Sequence, residues 1–239
     1  MLRDTLIVYR VELAAAVRSR VAVAIGLVQP VLYLVLFGPL LTDALPGERA
    51  MTFFVPGLFV QLGLFATGYA GFSLIPDLRS GVLERLRVTP VSRAALLLGR
   101  VLRDATTLAV QGTALVLCGL AFGLRASWWG VPAGLALVVV AGVGLASLSY
   151  AAAVKLPGEY LFAPVVNSVA VPVMLLSGVL LPMSFAPGWL DAASRLNPLR
   201  YVVDGVRALF DGRLVVVDAA VGVAFAVACV AVALRTFRF

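Results

Sequence analysis

ASWWGVPAGLALVVVAGVGLASLSYAAAV, residues 126–154, contains no charged side chain. A hydrocarbon core of about 30 Å is spanned by roughly 20 apolar residues in a helix, so this run is long enough to cross a bilayer by itself. Working outward, four more charge-free runs occupy 105–124, 160–190, 50–76 and 21–42, and a sixth, 214–234, carries only Asp218 near its start. The whole composition agrees with these runs: of 239 residues, 62% are hydrophobic and 13% charged, with a mean hydropathy of +1.05. Soluble domains carry roughly 25% charged residues. A chain of this length has no interior large enough to hide so much apolar surface from water. Soluble enzymes, disordered chains and disulfide scaffolds therefore fit poorly, and lipid is the solvent the sequence calls for.

The expected fold is all-α: a polytopic membrane protein with six spans at about 21–42, 51–75, 101–124, 131–154, 160–181 and 214–234. The run from Tyr160 is too long for one crossing and contains Pro164, Pro172 and Pro182. A helix to about Leu181 is predicted, then a segment, 182–213, that does not cross. The first run reads as a retained span rather than a removable leader, because six charged residues precede it and no small-x-small cleavage site follows closely. Gly119-x-x-x-Gly123, Gly130-x-x-x-Gly134 and Gly142-x-x-x-Ala146 permit close helix contact.

Composition also removes chemistry. There is no histidine, which argues against the usual zinc sites and imidazole bases. Cys118 and Cys229 lie inside apolar runs and read as buried free thiols. Lys155 is the only lysine, flanked by Val154 and Leu156, so no G-x-x-x-x-G-K-[ST] phosphate loop exists and ATP is not bound in that way by this chain. No metal, cofactor-binding or catalytic residue is predicted. Ion-coupled carriers place ionisable groups at membrane depth, and five of the six runs have none. Energy for any transport then has to come through a partner.

Orientation follows from the basic residues. With the N-terminus in the cytoplasm, thirteen of the nineteen arginines and lysines fall in inner segments, while the twelve acids divide equally between the two sides. The net charge of +7 therefore lies wholly inside, with both termini cytoplasmic. No basic face exists apart from the membrane flanks, so nucleic acid is not an expected partner.

Three segments are not spans. Residues 1–20 place Leu2, Leu6, Tyr9, Leu13 and Val17 at helical spacing, which suits an interfacial helix on the inner surface; a plain basic flank fits equally well. Residues 76–100 form the longest inner stretch. Leu78, Val82 and Leu86 recur every four residues there, with Glu84, Arg85 and Arg87 on other faces, making one short amphipathic helix. Thr89-Pro90 then reads as an N-cap and first helical position. A connection of this length has another task besides linking two spans, most simply docking a cytoplasmic partner. On the outer side, Asn197-Pro198 starts a helix whose Arg200, Asp204, Arg207 and Asp211 alternate in sign, with Trp189 and Tyr201 as interfacial anchors. Those charges read as support for an outer cap.

The order of parts resembles the membrane subunit of type-2 ABC exporters, in particular the bacterial drug-efflux and antibiotic-resistance branch. The residues that carry the resemblance are Gln29-Pro30, Phe54-Val55-Pro56-Gly57, the block from Gly81-Val82-Leu83-Glu84-Arg85-Leu86-Arg87 to Arg93, Pro182, Pro187-x-Trp189-Leu190, Asn197-Pro198-Leu199-x-Tyr201 and Arg207. The resemblance implies a half-transporter of the bacterial cytoplasmic membrane. It would pair with a second copy of itself and with two copies of a separate ATPase subunit, on which ATP and Mg would bind. It also implies that Leu78, Gly81, Val82, Glu84, Arg85, Leu86 and Arg87 form the ATPase-coupling helix, and that substrate passes between the second and fifth spans near the dimer axis.

The second span offers Gln61, Phe65, Tyr69 and Phe72 on one aromatic-rich face, and the fifth offers Asn167, Val171 and Met174. Adaptable walls with few polar groups suit a hydrophobic organic ligand. Helix packing or lipid contact is the plainer reading of the same stripes. Export of a lipid or lipid-linked polysaccharide, or a non-transporting membrane scaffold, remain the alternatives in function.

Overall fold

The computed structural model describes residues 2–18, 20–44, 49–80, 92–156, 158–180 and 183–236. Among these, all regular structure is helical: α1 (Leu2–Arg18), α2 (Arg20–Ala44), α3 (Arg49–Gly68), a 3-10 turn (Ala70–Leu74), α4 (Ile75–Arg79), α5 (Arg93–Ala121), α6 (Gly130–Lys155), α7 (Glu159–Leu176), a second 3-10 turn (Met183–Phe185), α8 (Gly188–Arg195), α9 (Pro198–Phe210) and α10 (Val216–Thr236). Among the described residues, four stretches are long and apolar enough to cross a membrane: Met51–Arg79, Ala94–Ala121, Gly130–Lys155 and Val216–Thr236. Ala24–Pro39 and Tyr160–Leu176 are shorter apolar helices.

The run that opened the sequence reading becomes α6, and α6 is the centre of the bundle. It packs against α3, α5, α9 and α10. Its small residues let neighbours come close: Gly134 lies 2.8 Å, measured from an added β-carbon, from the Phe210 ring, and Gly142 lies 2.6 Å from Leu108. The main core gathers Val55, Leu58, Phe59, Leu108, Leu115, Val138, Val202 and Phe210. A second core, around Tyr150, Phe162, Leu97 and Leu74, closes the end of the bundle that carries α1 and α4. The opposite end carries α8 and α9. Ser127 N–H donates to Phe210 O (2.8 Å) there, and the Leu209 carbonyl occupies the place where a β-carbon on Gly130 would have to sit. Gly130→Ala is therefore expected to destabilise the protein by about 2–3 kcal/mol, read as a lower thermal midpoint in detergent. Gly188→Ala is the matched control and should be silent, since nothing lies within 4 Å of the added carbon.

Three boundaries differ from expectation, each for a physical reason. The helix expected as a fifth span, α7, stops at Leu176, where a helix to about Leu181 is predicted. Ser177 Oγ donates to Met174 O (2.6 Å), Gly178 takes φ +73°, and the carbonyls of Gly178 and Val179 are taken by Arg207. The third span begins at Arg93, because Ser92 is extended and its side chain caps Ala95 N–H (3.2 Å). The Thr89-Pro90 start lies outside the described residues. The second span breaks at Tyr69 into the 3-10 turn. Ser149 on α6 satisfies the break by accepting from Gly71 N–H (2.9 Å) and donating to Gly68 O (2.5 Å). The N-terminal segment is a helix, α1, lying along α5, with Val8 2.6 Å from an added β-carbon at Gly99. Leu2, Leu6, Val11 and Val17 face away from protein.

Candidate functional site

An open cavity of about 420 Å³ lies between α2 and α3, lined by Ile25, Gly26, Gln29 and Pro30 from α2 and by Gln61, Leu62, Phe65, Ala66 and Tyr69 from the second span. Helical spacing puts Gln61, Phe65 and Tyr69 on one face, and this structure turns that face towards α2. Gly26 lets α2 approach α5, since the Gln111 side chain of α5 occupies the space its β-carbon would need. Gln29 donates to Tyr33 Oη at 3.3 Å. Gln61 is only 4% exposed, and its Oε1 is buried with no hydrogen-bond partner. A buried amide oxygen left unpaired costs about 1–3 kcal/mol, and with so little accessible surface this oxygen is enclosed by protein and does not face the cavity.

The other residues expected along a substrate path lie elsewhere. Phe72 is 40% exposed and packs its ring 6.1 Å from Phe162. On α7, Asn167 and Val171 are exposed, and Met174 is half-buried against the main core. None of the three α7 residues lines the α2–α3 cavity.

At the α1 end, a polar cluster that the sequence reading did not single out ties four elements together. Arg100 on α5 meets Glu12 of α1 (3.0 Å) and also grips Asp77 of α4. One turn along, Arg103 pairs with Asp104 (3.0 Å) and donates to Tyr150 Oη (3.1 Å). Tyr150, fully buried on α6, donates in turn to Asp104 (2.6 Å). Tyr9 Oη and Thr106 Oγ1 lie 3.0 Å apart between α1 and α5. The cluster brackets residues 81–91, joining α4 just before them to α5 just after. Of the expected coupling residues, Leu78 packs half-buried against the second core. Gly81, Val82, Glu84, Arg85, Leu86 and Arg87 lie outside the described residues.

At the far end, Asn197 Oδ1 accepts from Leu199 N–H (3.0 Å) and caps α9, while its Nδ2 donates to Val173 O (2.7 Å). The alternating charges of α9 do not pair mainly with one another. Arg200 meets Asp191 of α8 at 2.7 Å and Asp204 only at 3.7 Å. Hydrogen bonds from Arg200 and Arg195 hold the Asp191 carboxyl below the usual carboxylate range. Asp211 pairs with Arg213. Arg207 stacks on the Phe53 ring (3.6 Å to its centre) and donates to three carbonyls: Phe53 (3.2 Å), Gly178 (2.9 Å) and Val179 (3.2 Å). Burial pulls its guanidinium down to about 10, still charged at neutral pH. Burial also lifts the Asp204 carboxyl, against the pull of Arg207 and Arg200. No group of three or more metal-ligating side chains occurs among the described residues.

Residues 3–210 match the family model described as ABC-2 type transporter. The chain is 28% identical over 187 residues to the daunorubicin resistance ABC transporter permease protein DrrB1 of Streptomyces coeruleorubidus, covering 77% of this chain and 66% of that protein. It is 30% identical over 204 residues to the probable doxorubicin resistance ABC transporter permease protein DrrC of Mycobacterium tuberculosis, covering 80% and 70%. A putative transport permease, ycf38, of Cyanophora paradoxa is 28% identical over 206 residues, covering 81% and 69%. The chain thus spans about two thirds of the length of the relatives it matches.

Proposed function

This chain belongs to the ABC-2 type transporter family, and on that premise we propose that it is the membrane subunit of an ATP-driven exporter of hydrophobic small molecules in a bacterial cytoplasmic membrane. Two copies would form the path, and two copies of a separate ATPase subunit would carry ATP and Mg. Alpha-2 and α7 complete six spans with the four longer ones, and both termini lie in the cytoplasm. Residues 81–91, with Glu84, Arg85 and Arg87, form the contact that takes the ATPase's motion into the bundle.

The observation that carries this reading is the Arg100 cluster. A loop that only linked two spans would not need both of its flanks clamped to α1 by a shared cation. The names of the relatives, which refer to daunorubicin and doxorubicin resistance, support a polycyclic, amphipathic substrate class.

The test is ATP-dependent accumulation of daunorubicin in inside-out vesicles that hold this chain and its ATPase. Accumulation that needs both subunits is expected. A chain that leaves uptake unchanged when present or absent is a scaffold, and the reading falls. The topology has its own check: cysteines placed at Glu48 and Arg195 should react with an impermeant thiol reagent in intact cells, and one at Ser80 should not. Labelling of Ser80 from outside would reverse the orientation.

A further inference from the structure

The acids and the arginines of α1 are sorted onto different faces. Glu12 points into the bundle and meets Arg100 of α5 at 3.0 Å, and half-buried Asp4 is also engaged. Arg3, Arg10 and Arg18 are exposed, and none of them makes an ion pair or hydrogen bond among the described residues. About two turns of helix separate Arg3 from Arg10, so both lie on one stripe. Beside it Leu2, Leu6 and Val17 are exposed as well. The outward surface of α1 is thus cationic and aliphatic, with no acid on it. Its place in the bundle says what such a face meets. Tyr9 lies against Thr106 and Val8 against Gly99, near the start of α5, which is long and apolar enough to cross a membrane from Ala94. A helix beside the end of a span lies where acyl chains give way to headgroups, and arginines set among aliphatic side chains suit that boundary. A zwitterionic bilayer would cover the aliphatic side chains but offer no net charge opposite three guanidiniums. An anionic one supplies both.

We propose that the outward face of α1 is a docking surface for anionic phospholipid, with Arg3, Arg10 and Arg18 on the headgroup phosphates and Leu2, Leu6 and Val17 among the acyl chains. The bound lipid steadies the Arg100 clamp from behind, since Glu12, on the inward side of the same helix, holds the arginine that grips Asp77. This second role rests on the exporter reading; the lipid contact does not.

The test places a bimane label on Leu6→Cys in the full chain, with Cys118 and Cys229 replaced by alanine, in phosphatidylcholine nanodiscs. Phosphatidylglycerol and phosphatidylcholine carrying a spin label at the same acyl carbon are titrated in separately. Half-quenching should need about fivefold less of the anionic lipid, the value of one arginine at an anionic surface. Arg3→Gln/Arg10→Gln/Arg18→Gln should close the gap without unfolding the chain, because all three side chains are exposed. No quenching by either lipid, equal quenching by both, or a gap that survives the triple replacement would each overturn the surface. A label that the added ATPase shields, and that neither lipid quenches, gives this face to the ATPase and overturns it too. Substrate stimulation of ATP hydrolysis by the complex should be about threefold greater with roughly a third of the lipid anionic, and indifferent to lipid charge in the triple variant. Equal stimulation of the parent in both bilayers would break the link to the clamp. Hydrolysis that no substrate stimulates in either bilayer, with the quenching gap intact, sinks the exporter reading and leaves the lipid surface standing.

Discussion

Arg207→Met is expected to destabilise the protein by about 3–5 kcal/mol, the largest effect of any single replacement outside the main core. Three backbone carbonyls, of Phe53, Gly178 and Val179, accept from this one guanidinium. The planar fork reaches them together while its face rests on the Phe53 ring. Gly57 makes the geometry possible, because the Val179 carbonyl stands where a β-carbon would be. Removing the side chain takes a charged donor from all three carbonyls and separates the start of α3 from the end of α7. Arg207→Lys should recover only a small part, since a single ammonium cannot span the three oxygens and lacks the flat face. Thermal unfolding in detergent measures it. The contrasting variant is Arg195→Ala, whose pair with Asp191 lies at the surface with the arginine side chain 68% exposed, and which should shift stability by less than about 0.5 kcal/mol.

The second large effect is functional. Arg100→Met should cost only about 1–2 kcal/mol of stability, because Glu12 and Asp77 retain some access to water. It should nevertheless reduce the stimulation of ATP hydrolysis by substrate about tenfold or more. Without the arginine, two carboxylates face each other with no cation between them, and α4 is no longer fixed relative to α1 and α5. The segment 81–91 then keeps its own residues but loses the fixed frame through which it would move the bundle. Arg100→Lys should restore part of the coupling, because an ammonium can hold one carboxylate at a time. Unaltered stimulation in the methionine variant, at normal expression, would reduce the cluster to packing.

Much of this architecture is legible in the residues. A charge-free run such as 126–154 has no soluble alternative in a chain of this composition, and it became the central helix. Asn197-Pro198 marked the start of α9 because capping is local chemistry, decided within three residues. The missed features depend on contacts between distant segments. The early end of α7 is set by Arg207, some thirty positions away in sequence, which no local pattern reports. A helical stripe identifies a face but not its neighbour: within one chain, Gln61, Phe65 and Tyr69 line a cavity with Gln29 and Pro30 of α2, a pairing that no local pattern reports. The Arg100 cluster was overlooked for a similar reason. Basic residues at span ends have a sufficient explanation in membrane orientation. The signal that distinguishes them is the accompanying acids Glu12, Asp77 and Asp104 at the same bundle end.

We propose that this chain receives work from a separate ATPase through residues 81–91. The most direct measurement is the ATP hydrolysis rate of that ATPase, alone, with this chain in nanodiscs, and with the Glu84→Ala/Arg85→Ala chain. Co-purification and substrate-stimulated turnover are expected with the parent chain, and loss of the stimulation with the doubly replaced chain although it remains inserted and folded. Equal turnover with the parent and the replaced chain, with the ATPase retained on both, would contradict it.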